Sequence, residues 1–301
     1  MAEKDVWLIS GCSSGLGKAL AQHAFEAGSL LVATARKLEA LAYLPDNANV
    51  LKLALDVTSR EQVDSVVKAT VDRFGRIDVV VNNAGYGVTG DTEVITDADA
   101  RAQLETNFWG VVNVTKAALP VVREVNPPGK GGLFMQISSV GGRVCYPGGA
   151  FYHASKFAVE GFTDALAKEM NPAWNIQFTI IDLGAVLTNF IPNMNQAPRH
   201  PAYEDPACGY NVLRAYMTMA NAAQWSDPAV CAKVLHELGS NRKKVKLPVH
   251  LALGADAWGV VKTELEGIAK EHEAWKAVAE STSSAENVKE AEVLIKMRSN
   301  D

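Results

Sequence analysis

The chain has 301 residues, 48% of them hydrophobic, and a formal net charge of −5, so it can bury one large core and offers no basic stripe for nucleic acid. Its charged start, Met1-Ala-Glu-Lys-Asp5, lacks the apolar centre of a signal peptide, and no apolar run approaches the ~20 residues of a membrane-spanning helix. Cys12, Cys145, Cys208 and Cys231 are scattered without Cys-x-x-Cys spacing and the six histidines show no ligand spacing, so neither a disulfide framework nor a metal site is expected. A cytoplasmic protein with no membrane or nucleic-acid partner is the expectation.

The first elements in chain order are a short apolar run, Asp5 to Ser10, a glycine-rich turn, and a helix from Lys18 to Ala27 stopped by Gly28. Strand, turn and helix make the first unit of a dinucleotide-binding fold. In the turn, Gly11, Ser13, Ser14, Gly15, Leu16 and Gly17 bring backbone and the helix N-terminus close to a pyrophosphate. The second strand, Ser29 to Ala35, ends where an NAD-binding unit carries a carboxylate for the ribose hydroxyls; here Arg36 and Lys37 follow. A guanidinium pairs with a 2′-phosphate that a carboxylate would repel, so NADP(H) is favoured over NAD(H).

A third apolar run, Asn49 to Leu55, ends in Asp56-Val57. Thr58-Ser-Arg-Glu61 reads as a capping box opening a helix with Val63, Val66, Val67, Thr70, Val71 and Phe74 on one stripe. A fourth strand, Ile77 to Val81, runs into the turn Asn82-Asn83-Ala84-Gly85-Tyr86-Gly87. A long helical stretch from about Ala98 to Arg123 carries Asn107. After a Pro/Gly loop, the fifth strand, Leu133 to Ile137, ends in Ser138-Ser139. The helix Phe151 to Met170 carries Tyr152 and Lys156, and a sixth strand spans Ile176 to Ile181. This alternation predicts right-handed crossovers and a doubly wound parallel sheet in three layers, the Rossmann α/β architecture. Gly11, Arg36, Asp56, Asn83 and Ser139 then share the carboxyl edge of the sheet, where such folds bind ligands.

Tyr152-His-Ala-Ser-Lys156 places a phenol and an ammonium group one helical turn apart on one face. A fixed positive charge lowers a phenol's pKa from ~10, which makes the pair a proton donor and acceptor suited to interconverting an alcohol and a carbonyl.

Ser10-Gly-x-x-x-Gly-x-Gly17, Asn82-Asn-Ala-Gly85, Asn107, Ser139 and Tyr152-x-x-x-Lys156, in this order and spacing, resemble the short-chain dehydrogenase/reductase family over residues 5 to about 190. The resemblance implies that Tyr152 transfers the substrate proton, Lys156 lowers its pKa and binds the nicotinamide ribose, Ser139 polarises the carbonyl oxygen, and Asn107 holds a proton relay to Lys156. Ser139 is preferred to Ser138 because it keeps the family's interval of thirteen residues before Tyr152. The resemblance further implies that Asp56 and Val57 line the adenine, Asn83, Ala84 and Gly85 pack near the adenosine, and Val186 and Thr188 touch the nicotinamide amide and phosphates. A homodimer or homotetramer through the helices bearing Asn107 and Tyr152 is also implied. Leu183-Gly184 departs from the usual Pro-Gly and frees the backbone there.

Beyond it, residues of about 189–225 form a long segment with Phe190, Met194, Tyr203, Tyr210, Tyr216, Met217, Met219 and Trp225, suited to an apolar, bulky and largely uncharged substrate, or in part to an amphipathic helix packing on the core. Trp258, Val261, Leu265, Ile268, His272 and Trp275 make a helical seam over about 255–279, expected to pack on the domain or on a partner subunit. The domain is expected over 1–280, with a polar tail at 281–301. The reading is an NADP(H)-dependent carbonyl reductase or secondary-alcohol dehydrogenase; the alternative is a dinucleotide-binding protein of this fold with a redox-neutral or regulatory role. The intact set of Asn107, Ser139, Tyr152 and Lys156 favours the first.

Overall fold

The computed structural model describes residues 3–216 and 224–284, with Asn287, Glu290, Ala291 and Val293 beyond them. Two compact units are present, Met1–Trp258 and Gly259–Asp301.

The first unit is built on seven parallel strands: β1 (Val6–Ile9), β2 (Leu30–Ala35), β3 (Val50–Ala54), β4 (Val79–Asn82), β6 (Gly132–Ile137), β7 (Ile176–Leu183) and β9 (His250–Leu253), in the order β3-β2-β1-β4-β6-β7-β9. Its strands are continuous apolar runs because both faces are covered. On one face Trp7, Ile9, Leu31 and Met135 pack with Leu20 of α1 (Gly15–Glu26) and Leu235 of α7 (Pro228–Asn241). On the other, Leu8, Val32, Val80, Phe134 and Phe178 pack with Val66 of α2 (Arg60–Phe74), Val114 of α4 (Gly110–Pro120) and Leu166 of α5 (Ala150–Glu169). This is the three-layer doubly wound α/β fold expected from the alternation of elements.

Several boundaries differ from the sequence reading for local reasons. Ser59, not Thr58, caps α2 by accepting from Gln62 N at 3.3 Å, because Asp56 Oδ1 already takes both the Thr58 amide and hydroxyl. The stretch bearing Asn107 is helical as expected, yet α3 (Asp97–Leu104) and α4 are joined by a π-helical turn at Glu105–Trp109, and a second follows at Val121–Val125. The strand β9 completes the sheet edge, and two residues each from β5 (Val88–Thr89) and β8 (Asn195–Gln196) form a separate parallel pair.

On α8 (Ala255–Ala274) Trp258, Leu265 and Ile268 are more than half exposed in the single chain, as is Trp275 just beyond it. No described helix is long and apolar enough to cross a membrane.

Gly17 is required by packing, since a Cβ there would stand 2.3 Å from both Gly11 O and Asn83 Nδ2. Gly17→Ala is expected to lower stability by about 1–3 kcal/mol, the scale of overpacking. Gly267→Ala meets nothing within 4 Å on α8 and is expected to gain up to about 1 kcal/mol from helix propensity. Urea unfolding of both variants against the parent protein checks the pair of signs.

Candidate active site

The carboxyl ends of β1 and β4 are locked together by one serine. Ser10 Oγ accepts from the amides of Asn83 at 3.0 Å and Ala84 at 3.1 Å, and donates to Val81 O. Asn83 Nδ2 returns hydrogen bonds to Ser10 O and Gly11 O. Gly11 adopts φ +73, and a Cβ there would lie 2.9 Å from Ala84 Cα, so the turn needs glycine for both conformation and space.

Beyond this lock, Ser13 and Ser14 are exposed, Leu16 anchors the helix inside, and Ser14 occupies the α1 N-cap without a side-chain capping bond. The first-turn amides of α1 therefore point outward unsatisfied by that cap, which is the arrangement that binds phosphate. Thr188 stands over the turn, with its Cβ 3.4 Å from where a Gly15 Cβ would be. Arg36 is exposed at the end of β2, and Tyr86 feels its positive charge. Asp56 is half-buried, and Val57 packs under α4, where Asn113 Nδ2 donates to its carbonyl. Gly85 is exposed beside Asn107, and Val186 forms a bridge with Ser226.

Asn107 is buried in the π-helical turn. Its amide clamps Tyr86 on both backbone sides, accepting from Tyr86 N at 3.0 Å and donating to Tyr86 O at 2.9 Å, and also reaches Ser155 Oγ at 3.1 Å. It thus ties the β4 turn to α5 between Tyr152 and Lys156. Its side chain makes no direct bond to Lys156 in this structure.

Lys156 is buried and donates to Ile137 O at 2.8 Å, with its ammonium 5.8 Å from the Tyr152 ring centroid. Burial lowers its pKa to about 8 despite the opposing charge of Glu160. Burial also raises Tyr152 to about 12, against the downward pull of a hydrogen bond from Ser139. In the protein alone burial dominates at Tyr152, and the Lys156 ammonium is turned toward the backbone at Ile137. Ser139 Oγ also accepts from Gly141 N at 3.1 Å, opening the short turn that leads toward α5.

Tyr146 N donates to His153 Nε2, so His153 carries its proton on Nδ1 and donates to Gly141 O. This histidine, inside the Tyr–Lys motif, braces the loop between Ser139 and Tyr152. Asp256 was also invisible in the sequence. Its Oδ2 accepts from Ala185 N at 2.7 Å, holding the loop after Leu183-Gly184 that lacks the usual proline. Its only sequence signal is a carboxylate at the start of a helix.

Glu160, Asp182, His250 and Arg143 form a buried polar cluster one helical turn past Lys156, described below.

The segment after β7 carries the wall over this site. Phe190 lies with its ring centroid 5.8 Å from that of Tyr152, and Met194 fills the space beside Gly87. The segment is braced by β8 on β5, by Arg199 to buried Asp91 at 2.8 Å, and by Thr89 Oγ1 donating to the hydroxyl of Tyr210 on α6 (Gly209–Tyr216). Met217 and Met219 lie outside the described residues.

The short chain dehydrogenase family model matches residues 5–199. Oxidoreductase calM of Penicillium decumbens is 42% identical over 267 residues, 86% of this chain and 87% of that protein. The 3-ketodihydrosphingosine reductase of Bacteroides thetaiotaomicron is 39% identical over 193 residues, 64% and 68% of the two chains. The solved structure of a short-chain dehydrogenase from Streptomyces avermitilis aligns with a TM-score of 0.81 at 32% identity, over 94% of this chain and 100% of that one.

Removing the buried ammonium should stabilise the fold while disabling the site. Below pH 8 the wild-type protein bears the cost of a charged, desolvated Lys156, whose pKa is depressed in the folded state. Its stability therefore rises with pH between about 8 and the ordinary lysine value of ~10.4. Lys156→Met is expected to melt higher than wild type at pH 7, with the gap closing toward pH 10, as read by thermal unfolding across pH.

Proposed function

Because the chain belongs to the short-chain dehydrogenase family, oxidoreductases acting on alcohol and carbonyl groups, we propose that it is an NADP(H)-dependent reductase or dehydrogenase of a bulky, largely uncharged ketone or secondary alcohol. The observation that carries this reading is Tyr152 beside Ser139 and Lys156 at the carboxyl edge of the sheet, beneath the apolar Phe190.

The residues present fit the dinucleotide. The Gly11–Gly17 turn and the α1 amides would hold the pyrophosphate, and Asp56, Val57, Asn83, Ala84 and Gly85 the adenosine end. Arg36, with no hydrogen-bond or ion-pair partner among the described residues, would pair with a 2′-phosphate. Val186 and Thr188 would border the nicotinamide. When bound, the dinucleotide supplies or takes up the hydride.

The chain's own residues handle the proton. Tyr152 would give its phenolic proton to the oxygen of a reduced carbonyl, with Ser139 donating a second hydrogen bond to that oxygen. A phenol held high by burial gives up its proton reluctantly, and Lys156, turned from Ile137 O toward the site, would lower its pKa. Asn107 would hold the relay that returns a proton to Lys156. Phe190 and Met194 would exclude water and favour apolar substituents, in keeping with a relative named as a 3-ketodihydrosphingosine reductase. We also propose a homodimer or homotetramer. Trp109 and Phe157 are 47% and 43% exposed beside the catalytic helices, and pairing them would cover both.

Tyr152→Phe is expected to keep NADPH binding and lower turnover by ~10²–10⁴-fold, measured as NADPH consumption over a carbonyl panel. Wild-type turnover in this variant would end the acid–base assignment. Arg36→Ala is expected to weaken NADPH by about 1.5–3 kcal/mol, the scale of a charged hydrogen bond, and leave NADH nearly unchanged. Titrating both cofactors by fluorescence distinguishes this from a general loss.

A further inference from the structure

One helical turn beyond Lys156, four chain segments converge on buried charge. Glu160 of α5 and Asp182 of β7 are 6% and 1% exposed, and their carboxylates share Arg143 Nε at 3.4 and 3.3 Å. His250 of β9 places Nδ1 3.2 Å from Glu160 Oε2 and Nε2 3.7 Å from Asp164. Lys156 faces the same group from α5, and Ser138 from the end of β6.

With both acids ionised this cluster does not balance. Glu160 Oε1, Asp182 Oδ1 and Ser138 Oγ are all buried without a well-formed hydrogen bond, although Ser138 and Asp182 both lie close enough to act on Glu160. A buried polar atom left unpaired destabilises the fold, and more so when it is charged. One guanidinium faces two carboxylates, and Arg143 lying against both makes the place unfavourable for a metal cation. A single proton satisfies the geometry: it turns one carboxyl into a donor and leaves one negative charge for Arg143.

We propose that Glu160 and Asp182 share one proton and form a buried strut between α5 and β7, a pair of positioning residues that sets the placement of Lys156 and Tyr152. This rests on the catalytic role given above to those two residues.

Burial, then the neighbouring Glu160 charge, pushes Asp182 above the ordinary carboxylate range. Burial also acts on Glu160, but hydrogen bonding with His250 and Asp182, and the charge of Arg143, leave it below. The proton therefore resides on Asp182. The strut has a defined polarity: Asp182 donates, and Glu160 keeps the negative charge that opposes deprotonation of Lys156. Loss of the proton at alkaline pH sets two buried carboxylates against each other, pressing α5 away from β7.

The sign follows from linkage. A carboxyl with a raised folded pKa contributes stability that is lost as pH rises through that pKa. The test is thermal unfolding of the full chain from pH 6 to pH 10 for wild type, Asp182→Asn and Glu160→Gln. Either amide supplies the donor permanently, so each variant should lack an alkaline loss of stability that wild type shows relative to it. Glu160 stays beside Lys156 in wild type and in Asp182→Asn, so the Lys156 titration cancels in that comparison, whereas Glu160→Gln removes a charge that favours the ammonium. If Asp182→Asn does not fold, Glu160→Gln is compared in a Lys156→Met background, where that titration is absent. Superimposable pH profiles of wild type and the folded variants would overturn the shared proton, as would stabilisation of wild type, but not Asp182→Asn, by millimolar Mg²⁺ or Zn²⁺, which would make the cluster a cation site.

The positioning role has its own readout. Asp182→Val, which cannot hydrogen-bond, should lower kcat by about 10–100-fold, the scale of a small misplacement, at nearly unchanged KM for NADPH. Asp182→Asn should restore kcat at pH 7 and hold it at pH 9 where wild type declines. Equal kcat for the valine and asparagine variants would remove the positioning role. If wild type turns over no carbonyl at all, the proposed function fails, while the unfolding comparison still decides the proton.

Discussion

A parallel sheet covered on both faces leaves only its edges open to solutes, and this constraint organises everything else in the protein. The strands can be almost wholly apolar because helices lie on both sides, and their polar ends gather where the chain leaves β1, β2, β4, β6 and β7. Ser10 makes that gathering rigid. One hydroxyl accepts from two amides of the neighbouring β4 turn and donates within the same strand pair, so the glycine turn and the Asn83–Gly85 turn move as one body. Asn107 extends the same rigidity to α5 through Ser155. Both devices use side chains to pair backbone groups that the sheet edge leaves over.

Burial sets the electrostatics of the site more strongly than pairwise charge does. It drives Tyr152 up and Lys156 down, in each case toward the neutral form. In the protein alone Tyr152 therefore holds its proton tightly, while Lys156 lies closer to its own midpoint at neutral pH. Lys156 is nevertheless held as a buried cationic group by Ile137 O and by the negative charge of Glu160.

The sheet and the candidate site were legible in the sequence because their signals are local: apolar runs of strand length, a glycine turn, and a phenol and ammonium four residues apart. What escaped has physical reasons. The strand His250-Leu-Ala-Leu253 is a half-buried edge that follows a lysine-rich stretch, and four residues give too little pattern to read. The π-helical turn at Asn107 adds one residue to a single turn and leaves the apolar stripe on either side intact, so periodicity does not report it. Thr58 satisfies the capping-box pattern, but Asp56 competes for its hydroxyl. Glu160, Asp182, Arg143 and His250 come from four separate segments, and only the folded sheet brings them together.

The segment over the candidate site is held differently from the residues beneath it. Tyr152, Ser139 and Lys156 sit on elements whose backbone is fixed by the sheet. Phe190 and Met194 instead belong to a segment held by a two-residue strand pair, one buried ion pair and one hydroxyl bond. Asp91 has little solvent to return to, so its bond to Arg199 resists small rearrangements more than an exposed pair would. Yet Asp91 and Thr89 lie just past the Asn83–Gly85 turn, on the same loop that Asn107 clamps at Tyr86. The Phe190 segment is therefore hung from the loop that follows the Asn83–Gly85 turn. The Asn83–Gly85 turn and the segment bearing Phe190 are thus tied through covalent chain and buried bonds.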